Sequence, residues 1–248
     1  MSTPVLEIKN LGFCYPDGTE ALHNISCRFE YGEAVGLIGG NGAGKSTLLQ
    51  HLNGCLTPSE GTVLFGGIPI SREMLAEVRR AVGVVFQDPD DQLFMSTVFD
   101  DVAFGPLNLG LPSDEVTARV HCALERVGMR HLCDRPPYKL SGGEKRAVSI
   151  ATILAVSPDI IVLDEPSSNL DPRGRRRLID LLRGFGQTRI IATHDLELVV
   201  EVCQRAIVLD GGRIVAEGPV VEILNNEELM LAHGLERPHI LRHQHPHH

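Results

Sequence analysis

The sequence predicts an α/β protein in which a parallel sheet is covered by helices on both faces and a helical segment is inserted into the chain. Two observations predict the sheet. The apolar runs Ile160-Ile161-Val162-Leu163 and Ile190-Ile191-Ala192-Thr193 alternate with helical segments, as strands buried on both faces do. A further run, Ala34-Val35-Gly36-Leu37-Ile38, leads straight into a glycine-rich loop and a helix. A third observation predicts the insertion: from Asp88 to Val156 the apolar spacing is helical. A chain of 248 residues can bury one large core, so one domain with an inserted subdomain is expected.

Taken in order, residues 5–31 read as strands, with Ile25, Cys27 and Phe29 at period 2 and a turn at Tyr15-Pro16-Asp17-Gly18. Gly39-Gly40-Asn41-Gly42-Ala43-Gly44-Lys45-Ser46-Thr47 fits G-x-x-x-x-G-K-[ST] and opens a helix through Leu48, Leu49 and Leu52 that stops at Gly54. Glycines there let backbone N–H groups surround an anion, and the helix head adds positive potential. Lys45 can reach β- and γ-phosphates, and Ser46 offers a hydroxyl to Mg²⁺. Such a loop says "nucleotide" and no more. Thr62-Val63-Leu64-Phe65 before Gly66-Gly67 reads as a strand and turn, and Ala81–Phe86 as a strand ending at Gln87. Ser113 is placed to cap a helix with Val116, Val120, Ala123, Leu124 and Val127 on one face and Gly128 as its stop. Ala206–Leu209, Asp210-Gly211-Gly212 and Arg213–Val215 read as a hairpin.

Composition narrows the function. A formal net charge of −9 disfavours nonspecific binding to nucleic acid, which needs a basic face. The six cysteines are scattered without a C-x-x-C pair and read as reduced thiols, mostly in the core. No basic stretch followed by an apolar core begins the chain, so no signal peptide is expected. The longest near-apolar run, Ala147–Val156, is far too short to span a bilayer.

Other stations carry chemistry. Asp164 and Glu165 end a buried strand, where Asp164 can hold Mg²⁺ through water and Glu165 can activate the attacking water. Gln87 also follows a strand, from which its carbonyl oxygen can meet Mg²⁺ or that water. His194 follows the strand Ile190–Thr193, at the end where α/β ligand sites form. Leu140-Ser141-Gly142-Gly143-Glu144 opens a helix with Ala147, Ile150, Ala151 and Leu154 on one face. It reads as a capping box, Ser141 with Glu144, whose two glycines bare backbone N–H groups and make a second anion site. Two anion sites far apart in sequence invite one nucleotide to be shared between two copies.

In their order along the chain, the phosphate loop, Gln87, Leu140–Glu144, Asp164–Glu165, Ser168-Asn169-Leu170-Asp171 and His194 resemble the motifs of ATP-binding-cassette (ABC) ATPases over nearly the whole chain. The resemblance implies one P-loop NTPase domain over 1–248. A RecA-like core with an N-terminal antiparallel sheet would occupy 1–87 and 157–230, a helical subdomain 88–156, and a histidine-rich tail 231–248. It also implies a head-to-tail dimer, with a second copy or a paralogue, that sandwiches two ATPs. Lys45, Ser46, Gln87, Asp164, Glu165 and His194 would act from one subunit, and Ser141, Gly143 and the Asp171 loop from the other. Tyr15 matches the aromatic position that stacks on adenine. Three departures stand out: Gly40 for a common proline or serine, Glu144 for a frequent glutamine, and Ser168-Asn169 for a small-residue pair.

Within that family, Phe86–Phe94 and Thr97–Pro106 resemble the ATPases of energy-coupling-factor importers, and among these the cobalt and nickel uptake branch. The implied protein hydrolyses ATP at the cytoplasmic face of the membrane, bound peripherally to membrane-spanning subunits. Cobalt is the expected cargo, with nickel or a vitamin as alternatives. A soluble, non-transport ABC ATPase is the rival class, though this chain has one cassette and no heptad run. The acidic run Asp88, Asp90, Asp91 lacks the spacing of a calcium loop, and the apolar Leu93, Phe94 and Met95 after it read as a docking site for a membrane subunit. Arg173, Arg175, Arg176 and Arg177 read as a solvated helix face rather than a nucleic-acid site. His239, His243, His245, His247 and His248 read as a tail without assigned function.

Overall fold

The structure, a computed structural model, describes residues 5–242. Its strands are β1 (Leu6–Cys14), β2 (Glu20–Phe29), β3 (Ala34–Ile38), β4 (Glu60–Phe65), β5 (Ile68–Pro69), β6 (Val82–Val85), β7 (Ile160–Asp164), β8 (Thr188–Ala192), β9 (Arg205–Asp210) and β10 (Arg213–Pro219). Its helices are α1 (Lys45–Leu52), α2 (Leu75–Ala81), α3 (Val98–Asn108), α4 (Ser113–Arg126), α5 (Gly142–Val156), α6 (Pro172–Arg183), α7 (Leu196–Val202), α8 (Val220–Asn225), α9 (Glu227–Ala232) and α10 (His239–Arg242). Two compact units divide the chain: one up to Arg79 and again from Gln187, the other from Arg80 to Gly186.

In the first unit β1 pairs antiparallel with β2 and β4, and β5 extends β4, forming a small sheet. Ile25, Cys27 and Phe29 of β2 turn inward while Ser26 and Arg28 face out, at a period of 2; Leu22 is also buried, three residues before Ile25, where the register with β1 shifts and Asn24 takes a positive φ. β3 lies between β8 and β9, parallel to both. All five residues of β3 and of β8 are buried; β3 reads as an unbroken apolar run, whereas β8 opens on the buried polar pair Thr188 and Arg189 before Ile190, Ile191 and Ala192. β10 returns antiparallel along β9 across a two-residue turn. Gly211 and Gly212 both take positive φ there (49° and 71°), the requirement of a type I′ turn.

In the second unit β6 and β7 pair in parallel. Between Asp88 and Val156 every element is helical. Thr97 caps α3 by accepting the Asp100 N–H, and α3, α4 and α5 pack on one another. The buried residues of α4 are Val116, Val120, Ala123 and Leu124, the face expected of it. Ser113 is the first residue of α4 rather than its cap, which falls on Pro112. In α6 Leu178, Ile179 and Leu182 are buried while Arg173, Arg176 and Arg177 lie exposed.

Two expectations need correction. Only Cys27 and Cys203 are buried; Cys14, Cys55 and Cys122 are exposed and Cys133 is half-buried, so the thiols are not mostly core. The segment from residue 231 is not a featureless tail, because Leu235 and Leu241 pack inward and α10 begins at His239. His243, His245, His247 and His248 lie outside the described residues.

Candidate functional site: a phosphate cradle and a second helix head

The cradle belongs to the first unit. β3 delivers the chain into Gly39–Gly44, and α1 starts at Lys45. The α1 cap is Gly44 at φ 100°, a residue with no side chain to cap the helix. A Cβ on Gly44 would also meet the Ala21 carbonyl oxygen at 2.9 Å, so both the φ and the space demand glycine. The Lys45 side chain folds back, its Nζ donating to the carbonyls of Gly39 (2.9 Å) and Gly40 (3.1 Å). Tyr15 stands beside the loop: its hydroxyl and the Thr47 hydroxyl are 2.9 Å apart, and Phe13 meets its ring edge-on at 4.9 Å. Beneath Thr47 lies His51, whose Nδ1 donates to the Thr47 carbonyl at 2.7 Å. Burial pushes the His51 pKa down from its ordinary value, against the pull of that hydrogen bond. His194 follows β8, and the Thr193 N–H donates to the Leu37 carbonyl (3.1 Å), which sets that strand end beside the root of the cradle.

The second unit holds the other predicted residues. β6 and β7 pair with Val85 opposite Leu163, so Gln87 and the Asp164–Glu165 pair leave from the same end of the two strands. Glu165 is 6% exposed and takes φ 45°, the left-handed region that a non-glycine residue adopts only under constraint. At the head of α5 the expected capping box is closed. Glu144 Oε2 accepts from Ser141 N–H (2.8 Å) and Oγ–H (2.9 Å), and Ser141 Oγ caps the Glu144 N–H. Those bonds from Ser141 hold the Glu144 carboxyl below its usual range. Asp171 caps α6 by accepting the Gly174 N–H at 2.6 Å. Ser141, Gly142, Gly143 and Asp171 all line one cavity of about 740 Å³, with Asn169, Arg173 and Arg177.

The docking segment needs a correction. Leu93 is core, at 6% exposure, whereas Phe94 is 63% exposed and stacks edge-on against Phe104. Asp101 fixes the turn by accepting the N–H groups of Phe94 and Met95, both at 3.0 Å. Three consecutive apolar residues carry no period to separate the one that packs from the one that shows. Sequence reasoning also passed over Arg146, which lies fully inside the unit and grips the chain at Gln87; an arginine on a helix gives no sign of burial by itself.

A nucleotide cradle entered from a buried strand, with a strand-end carboxylate pair and a second bare-backbone helix head, defines a P-loop ATPase. The ABC transporter family model matches residues 22–168. A putative ABC transporter ATP-binding protein of Geobacter sulfurreducens is 60% identical over 238 residues, 96% of either chain. The energy-coupling factor transporter ATP-binding protein EcfA of Methanothermobacter thermautotrophicus is 48% identical, over 94% of this chain and 77% of that one. CbiO1 of Clostridium perfringens, part of the ABC transporter complex CbiONQ, superposes with a TM-score of 0.83 at 41% identity, over 97% of this chain and 98% of that one. The chain belongs to the ABC transporter family, as an ATP-binding and ATP-hydrolysing subunit of the energy-coupling-factor type. Cassettes of this family form dimers and serve in transporter complexes. Among the described residues no helix is long and apolar enough to cross a membrane.

Proposed function

We propose that this subunit powers the import of Co²⁺, working as a head-to-tail dimer bound peripherally to membrane-spanning subunits at the cytoplasmic face. The observation that carries the reading is the Phe86–Pro106 segment, whose sequence resembles the cobalt branch and whose Phe94, Phe104 and nearby Leu107 leave large apolar side chains exposed. Apolar surface of that kind suits a membrane partner's helix. The 41% identity with CbiO1 supports the same branch.

The residues take the following parts. The backbone of Gly39–Thr47 binds the ATP phosphates, Lys45 neutralises the β- and γ-oxygens, and Tyr15 offers its ring to the adenine. Ser46, Gln87 and Asp164 would hold Mg²⁺, and all three present oxygens, the hard donors that this ion requires. When bound, Mg²⁺ would neutralise phosphate charge. Glu165 accepts the proton of the attacking water, and His194 and Gln87 orient that water and the γ-phosphate. Ser141, Gly142, Gly143 and Asp171 of the second chain complete the site.

Uptake is the test. Co-expression with the membrane subunits should raise cellular Co²⁺ in an energy-dependent manner, and Glu165→Gln should abolish the rise. General-base catalysis contributes about 10²–10⁴-fold, so that variant also loses nearly all hydrolysis while still binding ATP. Because uncleaved ATP binds the paired state more tightly than the single chain, purified Glu165→Gln should dimerise with MgATP and run as a monomer without it. Uptake of Ni²⁺ or of a vitamin in place of Co²⁺ would refute the cargo. Hydrolysis at the parental rate by Glu165→Gln would refute the base.

A further inference from the structure

Within the second unit the segment Phe86–Gln92 is fastened to three successive turns of α5. Arg146 Nη1 donates to the Phe86 carbonyl and Nη2 to the Gln87 carbonyl, both at 2.6 Å. Gln92 Nε2 donates to the Ser149 carbonyl (2.9 Å) and the Thr152 hydroxyl (2.7 Å), while its Oε1 accepts the Phe86 N–H (3.2 Å). Lys145 pairs with Asp90 at 2.5 Å, at the surface.

Arg146 differs from the other two. It is 3% exposed, and both of its hydrogen-bonding partners are main-chain carbonyls. Burial pulls its pKa down, opposed only by the carboxylates of Asp88 and Asp164 acting through space. Desolvating a guanidinium offsets much of what its two hydrogen bonds contribute, so an apolar side chain of similar length, though it leaves two carbonyls without this donor, costs little net stability. What the apolar chain lacks is the planar fork. Two nearly parallel N–H groups on successive carbonyls fix the orientation of the peptide between Phe86 and Gln87, and so the direction in which the Gln87 side chain leaves the backbone.

We infer that Arg146 is a positioning residue for hydrolysis: it locks the Gln87 loop to the helix whose head carries Ser141–Gly143, so that the two move as one body. The inference rests on the reading of Gln87 as a contact of ATP.

The experiment uses the full chain as parent, Arg146→Met, Arg146→Lys and Gln87→Ala. Three quantities are measured: thermal midpoint, MgATP kinetics, and amide hydrogen exchange. Arg146→Met should unfold within about 3 °C of the parent. It should keep its KM for ATP and lose about tenfold or more in kcat, the scale at which small misplacements act. Amides of 86–92 should exchange faster while those of the α5 interior hold. Arg146→Lys, which restores the charge but not the fork, should fall between parent and Met. A parental kcat in Arg146→Met overturns the inference. So does loss of α5 protection and midpoint in step with kcat, which is what a merely structural arginine would give. Failure of the underlying reading is separate, because it appears as a parental kcat in Gln87→Ala itself.

Discussion

The heads of α1 and α5 are both glycine-rich, both face an anion in our reading, and are finished in opposite ways. At α1 the cap is a left-handed glycine, which has no side chain to cap the helix. At α5 the cap is Ser141, and its N–H and hydroxyl are already taken by the carboxylate of its own Glu144. The first head offers backbone N–H groups suited to phosphate. The second is satisfied from within, and a phosphate reaching Ser141 must compete with an anion the chain supplies itself. In the proposed dimer ATP would therefore bind one chain at its cradle first and meet the second head as the dimer closes.

The sharpest way to break the comparison is to disable the open head. Lys45→Ala removes the cation that folds onto Gly39 and Gly40 and that the phosphates need. The fold should survive, and tight MgATP binding should be lost by a factor on the order of 10². Calorimetry measures it; an unchanged Kd would mean that the cradle does not depend on its lysine and that the two heads differ less than their caps suggest.

Both heads were legible in the sequence, because each is a local device. A glycine run before a lysine, or a serine three residues before a glutamate, acts through neighbours in the chain. The same holds for the Asp210–Gly212 turn and for the buried face of α4. What the sequence hid depends on distant neighbours. Arg146 is buried because carbonyls some 60 residues earlier come to lie against it. Leu93 and Phe94 adjoin in sequence, yet Leu93 is buried and Phe94 exposed, on a turn that the Asp101 carboxylate holds through the N–H groups of Phe94 and Met95. Cys14, Cys55 and Cys122 read as core by residue type and lie at the surface. The short helices α8 and α9 hold their place through Leu224 and Met230, both wholly buried, in a stretch whose pattern is too brief to show a period.

A smaller effect would sharpen the contrast at the second head. Glu144→Gln preserves the geometry of the capping box, because an amide oxygen can still accept from Ser141. It removes one negative charge from the place where the partner's ATP must dock. One like charge near an exposed site is worth about 1 kcal/mol. The dimer has two such sites, so in a Glu165→Gln background the ATP-driven dimer should tighten by about 2 kcal/mol, roughly thirtyfold, read by sedimentation at graded protein concentration. Weaker dimerisation would mean that the carboxylate orders the head more than it repels the phosphate.

The smallest effect concerns pH, and it separates the two heads by the group that titrates beneath each. Under the α1 head, His51 gives its Nδ1 proton to the Thr47 carbonyl, and its Nε2 is buried without a partner among the described residues. A second proton there would place a charge where nothing accepts it, which is why burial lowers the pKa from 6.5. A depressed folded-state value means that stability is fully present above the ordinary imidazole value and is lost as pH falls through the native one. At the α5 head Glu144 is also depressed, from 4.5, by its bonds to Ser141, so its contribution is lost only in a lower, carboxylate window. Between pH 7 and pH 5 the α1 head alone should loosen. His51→Gln keeps a donor for the Thr47 carbonyl and cannot titrate, so it should flatten the fall in thermal midpoint across that range by a few degrees. Hydrogen exchange, corrected for its intrinsic pH dependence, should show the first turn of α1 losing protection in the parent but not in the variant, with the first turn of α5 unchanged in both. Equal loosening of the two heads in the parent, or an undiminished pH slope in His51→Gln, would show that the charge beneath the cradle is not what distinguishes them.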